Sequence, residues 1–338
     1  MTRPRPATLI EVARRAGVSL TTASKAINGK NRVSDETRAR VMAAARELSF
    51  TPSPIARGLT TGRTSTVGVI IADNMSYRFA VPVMLGAEAA LSEIDLSMIA
   101  CDAGGDPVRS RELARMLAAR QVDGILVVGD NNVVTASVTR HVAVPVVYVY
   151  GESDEPGDLV HMPDDYAGIG LAADHLVAAG RRCLAHITGP REATAVANRV
   201  AGLAARLSGH GLRLAAPVRY GPWSQRWASS AATDLLAAVP GIDAVVCGSD
   251  QIASGVLAAM EATGRRAPDD IAVTGFDNWP VFALETDPPL TTVDMNLEAL
   301  GTAAAKELFM IIDGQARPSG VRRHACGLVV RGSSDRAS

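Results

Sequence analysis

The chain has 338 residues, 34 of them basic and 35 acidic, with 47% hydrophobic and 20% charged side chains. This composition excludes a disordered chain, and at roughly 150 residues per domain the length allows two or three domains, each able to bury a core. The near-neutral total conceals a division: residues 1–63 carry twelve Arg/Lys and four Asp/Glu, net +8, and the remainder carries 22 and 31, net −9. A basic head on an acidic body points to a polyanionic partner at one end only, although a merely solvated basic face would carry the same charge. The first residues, Met-Thr-Arg-Pro-Arg-Pro, hold no apolar signal core, and no apolar run reaches about 18 residues, so a cytoplasmic protein without membrane contact is expected. Cys101, Cys183, Cys247 and Cys326 are widely spaced without a CxxC pair, as expected of buried free thiols.

Thr8 and Glu11 have the spacing of a capping box ahead of a helix from Leu9 to about Ala16, with Leu9, Val12, Ala13 and Ala16 on one face. Gly17 is placed for the left-handed turn that ends this helix, and Ser19 for the cap of a second, from Leu20 to about Asn28. Ala23, Ala26 and Ile27 form its apolar side, while Thr21, Ser24, Lys25 and Asn28 share a polar side. Ser34 caps a third helix with Asp35 and Glu36 in its first turn and Val41, Ala44, Ala45 and Leu48 as its buried stripe. Two short helices joined by Ala-Gly-Val-Ser and backed by a third make a helix-turn-helix, whose second helix suits a major groove. An αα-hairpin with an ordinary wet face would share the pattern; the surrounding charge favours duplex DNA.

Ser53 and Pro54 then open a segment, 54–60, of about one and a half helical turns, too short to be stable alone. Ile55 and Leu59 lie on one side beside Arg57, the composition of a minor-groove wedge or of a plain linker with two chance hydrophobes.

The runs Thr8-Leu-Ile-Glu-Val-Ala-Arg-Arg-Ala-Gly-Val-Ser, Thr22-Ala-Ser-Lys-Ala-Ile-Asn and Val33-Ser-Asp-Glu-Thr-Arg-Ala-Arg-Val resemble the head of the LacI/GalR family of bacterial repressors. The resemblance implies a DNA-binding domain over 1–52 and a hinge helix or linker over 53–63. It assigns base contacts to Leu20, Thr21 and Lys25, and backbone contacts to Ser19, Thr22, Ser24 and Asn28. Thr8, Arg32 and Ala56 join the DNA-binding set, and Leu59 falls at the lever that the family wedges into the minor groove. Leu20 departs from the polar or aromatic residue frequent there; it can meet a thymine methyl but no base hydrogen bond.

From Thr66 the pattern becomes short apolar runs alternating with helical stretches. Strands are predicted at 67–71, 97–101, 124–128 and 144–149, then at 183–188, 217–220, 244–247 and 271–275. Helices are predicted at about 80–94, 107–120, 165–179, 196–208, 225–238, 250–263 and 297–313. Continuous β-branched runs mean strands covered on both faces, hence an α/β core of two doubly wound parallel-sheet subdomains behind the all-α head.

Signals of catalysis fail. Gly168-Ile-Gly-Leu-Ala-Ala lacks the third glycine of a dinucleotide loop, and no P-loop, HExxH or GxSxG occurs. The six histidines lack ligand spacing, and His175 and His186 read as structural residues. No catalytic, cofactor or metal site is therefore expected. What the core offers is polar groups at strand C-terminal ends, where open parallel sheets bind ligands: Asp73, Asn74, Asp102, Asp130, Asp250 and Asp277. Carboxylates with an Arg and a Trp suit a polyhydroxylated ligand, although each Asp alone could simply cap a helix.

The LacI/GalR resemblance continues to about residue 333 through Asp164-Asp-Tyr-Ala-Gly, Gly189-Pro, Arg199-Val-Ala-Gly, Ser249-Asp-Gln-Ile-Ala, Gly275-Phe-Asp-Asn and Pro289-Leu-Thr-Thr-Val. It implies a core over 64–333 like periplasmic sugar-binding proteins, with three crossovers between an N-subdomain (64–162 and 292–323) and a C-subdomain (163–291 and 324–333), and a tail over 334–338. Effector contacts carried over are Arg199, Trp223, Ser249, Asp250 and Asp277, with Asp164 from its motif; Phe79 and the 74–79 loop, including Asn74, close the cleft from the other subdomain, with Asp130. Ser249 stands where the family often has Asn. No heptad helix follows the core, so a homodimer on a pseudo-palindromic operator is expected.

The expected function is a cytoplasmic, nucleoid-associated repressor released from operator DNA by a sugar-like effector. A corepressor-dependent regulator, a protein binding a non-sugar ligand, a head that contacts RNA or protein, and an enzyme on the same scaffold are the alternatives.

Overall fold

The computed structural model describes residues 7–27, 33–50, 63–72, 77–315 and 318–335, in two compact units divided after Ser65. The first unit contains α1 (Leu9–Ala16), α2 (Leu20–Ile27) and α3 (Asp35–Glu47). Thr8 and Glu11 form the capping box: Thr8 donates from its backbone N to Glu11 Oε2 at 2.6 Å. Gly17 ends α1 at φ 65°, where a side chain would be strained. Ser19 Oγ accepts from Thr22 N at 3.1 Å at the start of α2, and Ser34 caps α3. Val12, Ala13, Ala23, Ala26, Val41, Ala44 and Ala45 form the core of this unit. The hinge segment 54–60 lies outside the described residues.

Two six-stranded sheets build the second unit among the described residues. The first lobe uses β1 (Thr66–Ile71), α4 (Tyr77–Ser92), β2 (Ser97–Asp102), α5 (Pro107–Ala119), β3 (Gly124–Val128), β4 (Val146–Val149) and β5 (Leu159–Pro163). The second uses α6 (Asp165–Ala178), β6 (Leu184–Thr188), α7 (Thr194–Gly209), β7 (Arg219–Tyr220), α8 (Gln225–Ala238), β8 (Ala244–Cys247), α9 (Asp250–Ala262), β9 (Ala272–Phe276), α10 (Pro280–Ala283) and β10 (Thr291–Asp294). The chain then returns through α11 (Leu297–Ile312) and β11 (Gly320–His324), and closes with β12 (Gly327–Val329). Strand order is β11-β5-β4-β3-β1-β2 in the first sheet, all parallel, and β12-β10-β9-β8-β6-β7 in the second, where β12 is antiparallel to β10. The second sheet thus departs from the all-parallel expectation at one edge.

The chain passes between the sheets after β5, after β10 and between β11 and β12. The second passage falls after Asp294 rather than before 292, because Thr291, Thr292 and Val293 pair with β9. His324 remains with the first sheet, aligned with Pro163. Both faces of each sheet are covered by helices, which explains the uninterrupted apolar runs. Where α4 and α11 cross, Gly86 and Gly301 let the backbones touch: a Cβ on either would overlap the Glu298 or Val83 carbonyl.

Candidate effector cleft and DNA-reading helix

On α2, Ala23 and Ala26 are buried and hold the helix to the core of the head. Leu20 is 48% exposed and Thr21 is exposed, with Thr22, Ser24 and Lys25 half-buried. Of the predicted polar side, Thr21 is thus exposed and Ser24 and Lys25 are partly so, beside an exposed leucine at the N-terminal end of the helix. Asn28, Arg32, Ala56 and Leu59 lie outside the described residues, as do Asp73 and Asn74.

In the second unit a cavity of about 280 Å³ opens between the lobes. Arg78, Phe79, Asp130, Asn131, Asn132 and Tyr150 line it from the first lobe, and Ala195, Arg199, Trp223, Ser249, Gln251, Asp277, Trp279 and Phe282 from the second. Of the sequence-predicted residues, Phe79, Asp130, Arg199, Trp223, Ser249 and Asp277 are brought together here.

Arg199 organises the site from α7. It is 3% exposed and donates through Nε to Asp165 Oδ1 at 2.7 Å and through Nη1 to the Gly248 carbonyl at 2.5 Å. Its Nη1 lies 3.9 Å from Asp277 Oδ1, and the guanidinium sits 3.7 Å over the Phe276 ring. Burial works against its charge, but Asp165 and Asp277 outweigh that and hold its pKa above the ordinary value. Asp165 also accepts from Asn131 Nδ2 at 2.6 Å, so the network crosses between lobes. Burial raises Asp277 to about 6, with Arg199 and then Arg78 pulling the other way. Asp277 has φ 116° and Tyr150 φ 59°, both in a region costly for a side chain and common at functional sites.

The aromatic walls come from loops after strands (Tyr150, Trp223 and Trp279) and from α4 and α10 (Phe79 and Phe282). Trp223 lies against Gly189, where a Cβ would enter its ring. Phe79 and Tyr150 pack with centroids 5.2 Å apart, and Trp279 meets Phe282 edge-on at 4.9 Å. The first turn of α7 has no side-chain cap. Instead, Thr194 N and Ala195 N donate to the carbonyls of Asn132 and Asn131, both at 3.1 Å, so a loop of one lobe caps a helix of the other.

Three expectations need correction. Asp164 does not line the cavity: its Oδ1 accepts from Ala167 N at 2.9 Å as the cap of α6, and its neighbour Asp165 faces Arg199. Asp250 stands behind the wall, fully buried, accepting from Trp279 N at 2.7 Å and Thr292 Oγ1 at 2.5 Å. Asp102 closes a turn by accepting from Gly104 N at 2.8 Å. Sequence reasoning covered Arg78 only as part of the 74–79 segment and missed Asn131, Asn132, Tyr150, Asp165, Gln251, Trp279 and Phe282; several adjoin residues it singled out, and helix phase decides between such neighbours. Among the described residues no group of three or more His, Cys, Asp or Glu is placed to hold a metal ion, and no helix is long and apolar enough to cross a membrane.

A helix-turn-helix head and a two-lobed core around a polar, aromatic-walled cavity define a regulator of the ligand-responsive, DNA-binding class. Residues 8–53 match the family described as bacterial regulatory proteins, lacI family, and residues 173–334 match the periplasmic binding protein-like domain. The chain is 33% identical to the HTH-type transcriptional regulator CelR of Thermobifida fusca, over 93% of this chain and 94% of that one. It is 31% identical to the HTH-type transcriptional repressor PurR of Vibrio campbellii, over 96% and 98%. Among solved structures, the Lac repressor dimer bound to operator and the anti-inducer ONPF superposes with TM-score 0.77 at 25% identity, covering 98% of this chain and 99% of that one. A CelR–cellobiose complex superposes with TM-score 0.67 at 29% identity, covering 97% and 100%. The chain belongs to the LacI family of bacterial transcription regulators.

Proposed function

We propose that the chain is a dimeric repressor, not an enzyme, that works in the cytoplasm on nucleoid DNA and leaves its operator when a saccharide fills the cleft. The observation that carries the reading is Arg199, buried and held by Asp165 and Asp277 at one wall of a cavity of about 280 Å³ whose other walls combine aromatic rings with polar side chains. Fixed carboxylate and guanidinium groups pair with hydroxyls, and ring faces take the C–H side of a sugar. That a relative is solved with cellobiose and another structure holds operator DNA in dimeric form supports the same reading.

In this reading two heads place α2 in successive major grooves, with Leu20, Thr21 and Lys25 at base edges and Thr8, Ser19, Thr22 and Ser24 at the backbone. Asn28, Arg32, Ala56 and Leu59 take the roles that the family resemblance assigns. Ligand in the cleft changes the lobe angle, and a coupling of about 1–3 kcal/mol would shift operator affinity roughly 5–150-fold. The test is fluorescence anisotropy on a duplex selected from random sequence, titrated with a saccharide panel. Wild type is expected to release DNA with one panel member, and Trp223→Ala to bind the duplex without responding. A saccharide that tightens binding would make the ligand a corepressor. Absence of any enriched duplex would overturn the reading.

A further inference from the structure

Arg78 enters the cleft from the first turn of α4. Two rings press on its guanidinium, Phe79 at 4.1 Å and Trp279, from the opposite lobe, at 4.4 Å. The side chain is 18% exposed. Among the described residues its one oxygen partner is Asp277, and the distance, 3.4 Å from Nη2 to Oδ2, is long for a charge-assisted bond, which runs about 2.7–2.9 Å. Its Nε is buried without a hydrogen-bond partner among the described residues. The guanidinium is thus held by two rings at the cavity wall, with only part of its donor rim engaged by Asp277, and the fork is the group best shaped for a carboxylate or phosphate.

The other acids of the cleft are committed elsewhere. Asp165 serves Arg199 and Asn131; Asp130 accepts from the Asn132 backbone at 2.9 Å and its side chain at 2.7 Å; Asp250 serves Trp279 N and Thr292. The walls thus supply Arg78 with cation–π contact and a single distant carboxylate. The fork is positioned at the cavity wall, where an anionic group of a ligand can meet it.

We propose that the effector is a saccharide carrying one anionic group, a carboxylate or a phosphate, and that Arg78 is the residue that selects it. The inference rests on the saccharide reading of the cavity given above. The anion takes the open rim of Arg78, while hydroxyls of the same molecule meet Arg199 and Asp277. Asp277, 3.4 Å from Arg78 and 3.9 Å from Arg199, is the anion's acidic neighbour, and the two guanidiniums offset its charge.

The experiment is isothermal titration of the full-length protein with D-glucose, D-galactose and D-ribose, their uronic or aldonic acids, and their terminal phosphates. An anionic member is expected to bind at least about tenfold tighter than its neutral parent, the better arm identifying carboxylate or phosphate. In Arg78→Gln that ratio is expected to fall to within about threefold, and in Arg78→Lys, which keeps the charge without the fork, to an intermediate value. A ratio equal to wild type in both variants overturns the inference. So does a neutral sugar that binds as tightly as either anion and releases the operator, an outcome that leaves the saccharide reading standing. No binding by any member of either kind removes both.

Discussion

His186, on β6, is 1% exposed; its Nδ1 lies 2.7 Å from the Val246 carbonyl, and its Nε2 has no hydrogen-bond partner among the described residues. Burial holds it at about 4, against the pull of the Val246 hydrogen bond. His161 is also held at about 4, by burial, then by His324 and Arg322. Both values lie below the ordinary 6.5, so the unfolded chain takes up protons that the folded chain refuses. Their contribution is complete above about pH 6.5 and is lost as pH falls through 4, at most about 3 kcal/mol for each. Asp277 acts oppositely: raised to about 6, it favours the folded state below its ordinary pKa of 3.8 and loses that contribution as pH rises through 6. His175 and His324 are lowered by burial as well, and Asp250 is raised by burial as Asp277 is, so with four histidines against two aspartates urea unfolding midpoints should decline from pH 6.5 to 4. His186→Asn should flatten the decline, and an unchanged slope would show that His186 takes no part in it. The sequence marked His186 as structural because the histidines lack ligand spacing, but the hydrogen bond of its Nδ1 depends on packing from another strand.

At the scale of elements, α4 and α11 meet at Gly86 and Gly301 with no side chain between them. Gly301→Ala places a methyl against the Val83 carbonyl, so a loss of about 1–3 kcal/mol is expected from the overpacked crossing. Thermal unfolding of the variant measures it; a wild-type midpoint would mean that the helices separate freely. The same elements show what periodicity makes legible. The strands at 124–128 and 244–247 and the helix at 225–238 are as predicted, because each is long or wholly apolar for its type. β5, with His161 and Pro163 in it, was missed, as was β11, whose Gly-Val-Arg-Arg-His has charged, exposed positions at a sheet edge. β10 and β12 are only four and three residues long, beneath the length at which a pattern repeats. Asp164 and Asp165 illustrate the same limit at the site, since a shift of one residue at a helix start exchanges a cap for a buried ion-pair partner.

For the whole molecule, the division of charge sets the chemistry of DNA binding. The head is +8 and the rest −9, so attraction to phosphate is concentrated at one end. Operator affinity should fall linearly on a log–log plot against salt, by about 0.9 per phosphate neutralised. Anisotropy titrations at stepped salt read the slope; a flat line would mean that the head binds without displacing counterions. The head's helices were legible almost residue by residue, because Thr8, Gly17, Ser19 and Ser34 mark their ends with local chemistry. The cleft was legible only in part, since its walls come from loops and helix ends far apart in the chain and only the fold shows which of their side chains converge.

The three passages between the sheets have a consequence for engineering. The head is one uninterrupted stretch of sequence, so a single splice near Ser65 would graft it onto another sensor. Neither lobe can be excised in that way, because each owns pieces from distant parts of the gene, and β11 and β12 divide the last of them. Rewiring what this protein answers to therefore calls for rebuilding individual cavity side chains, whereas rewiring what it controls calls only for a fusion junction.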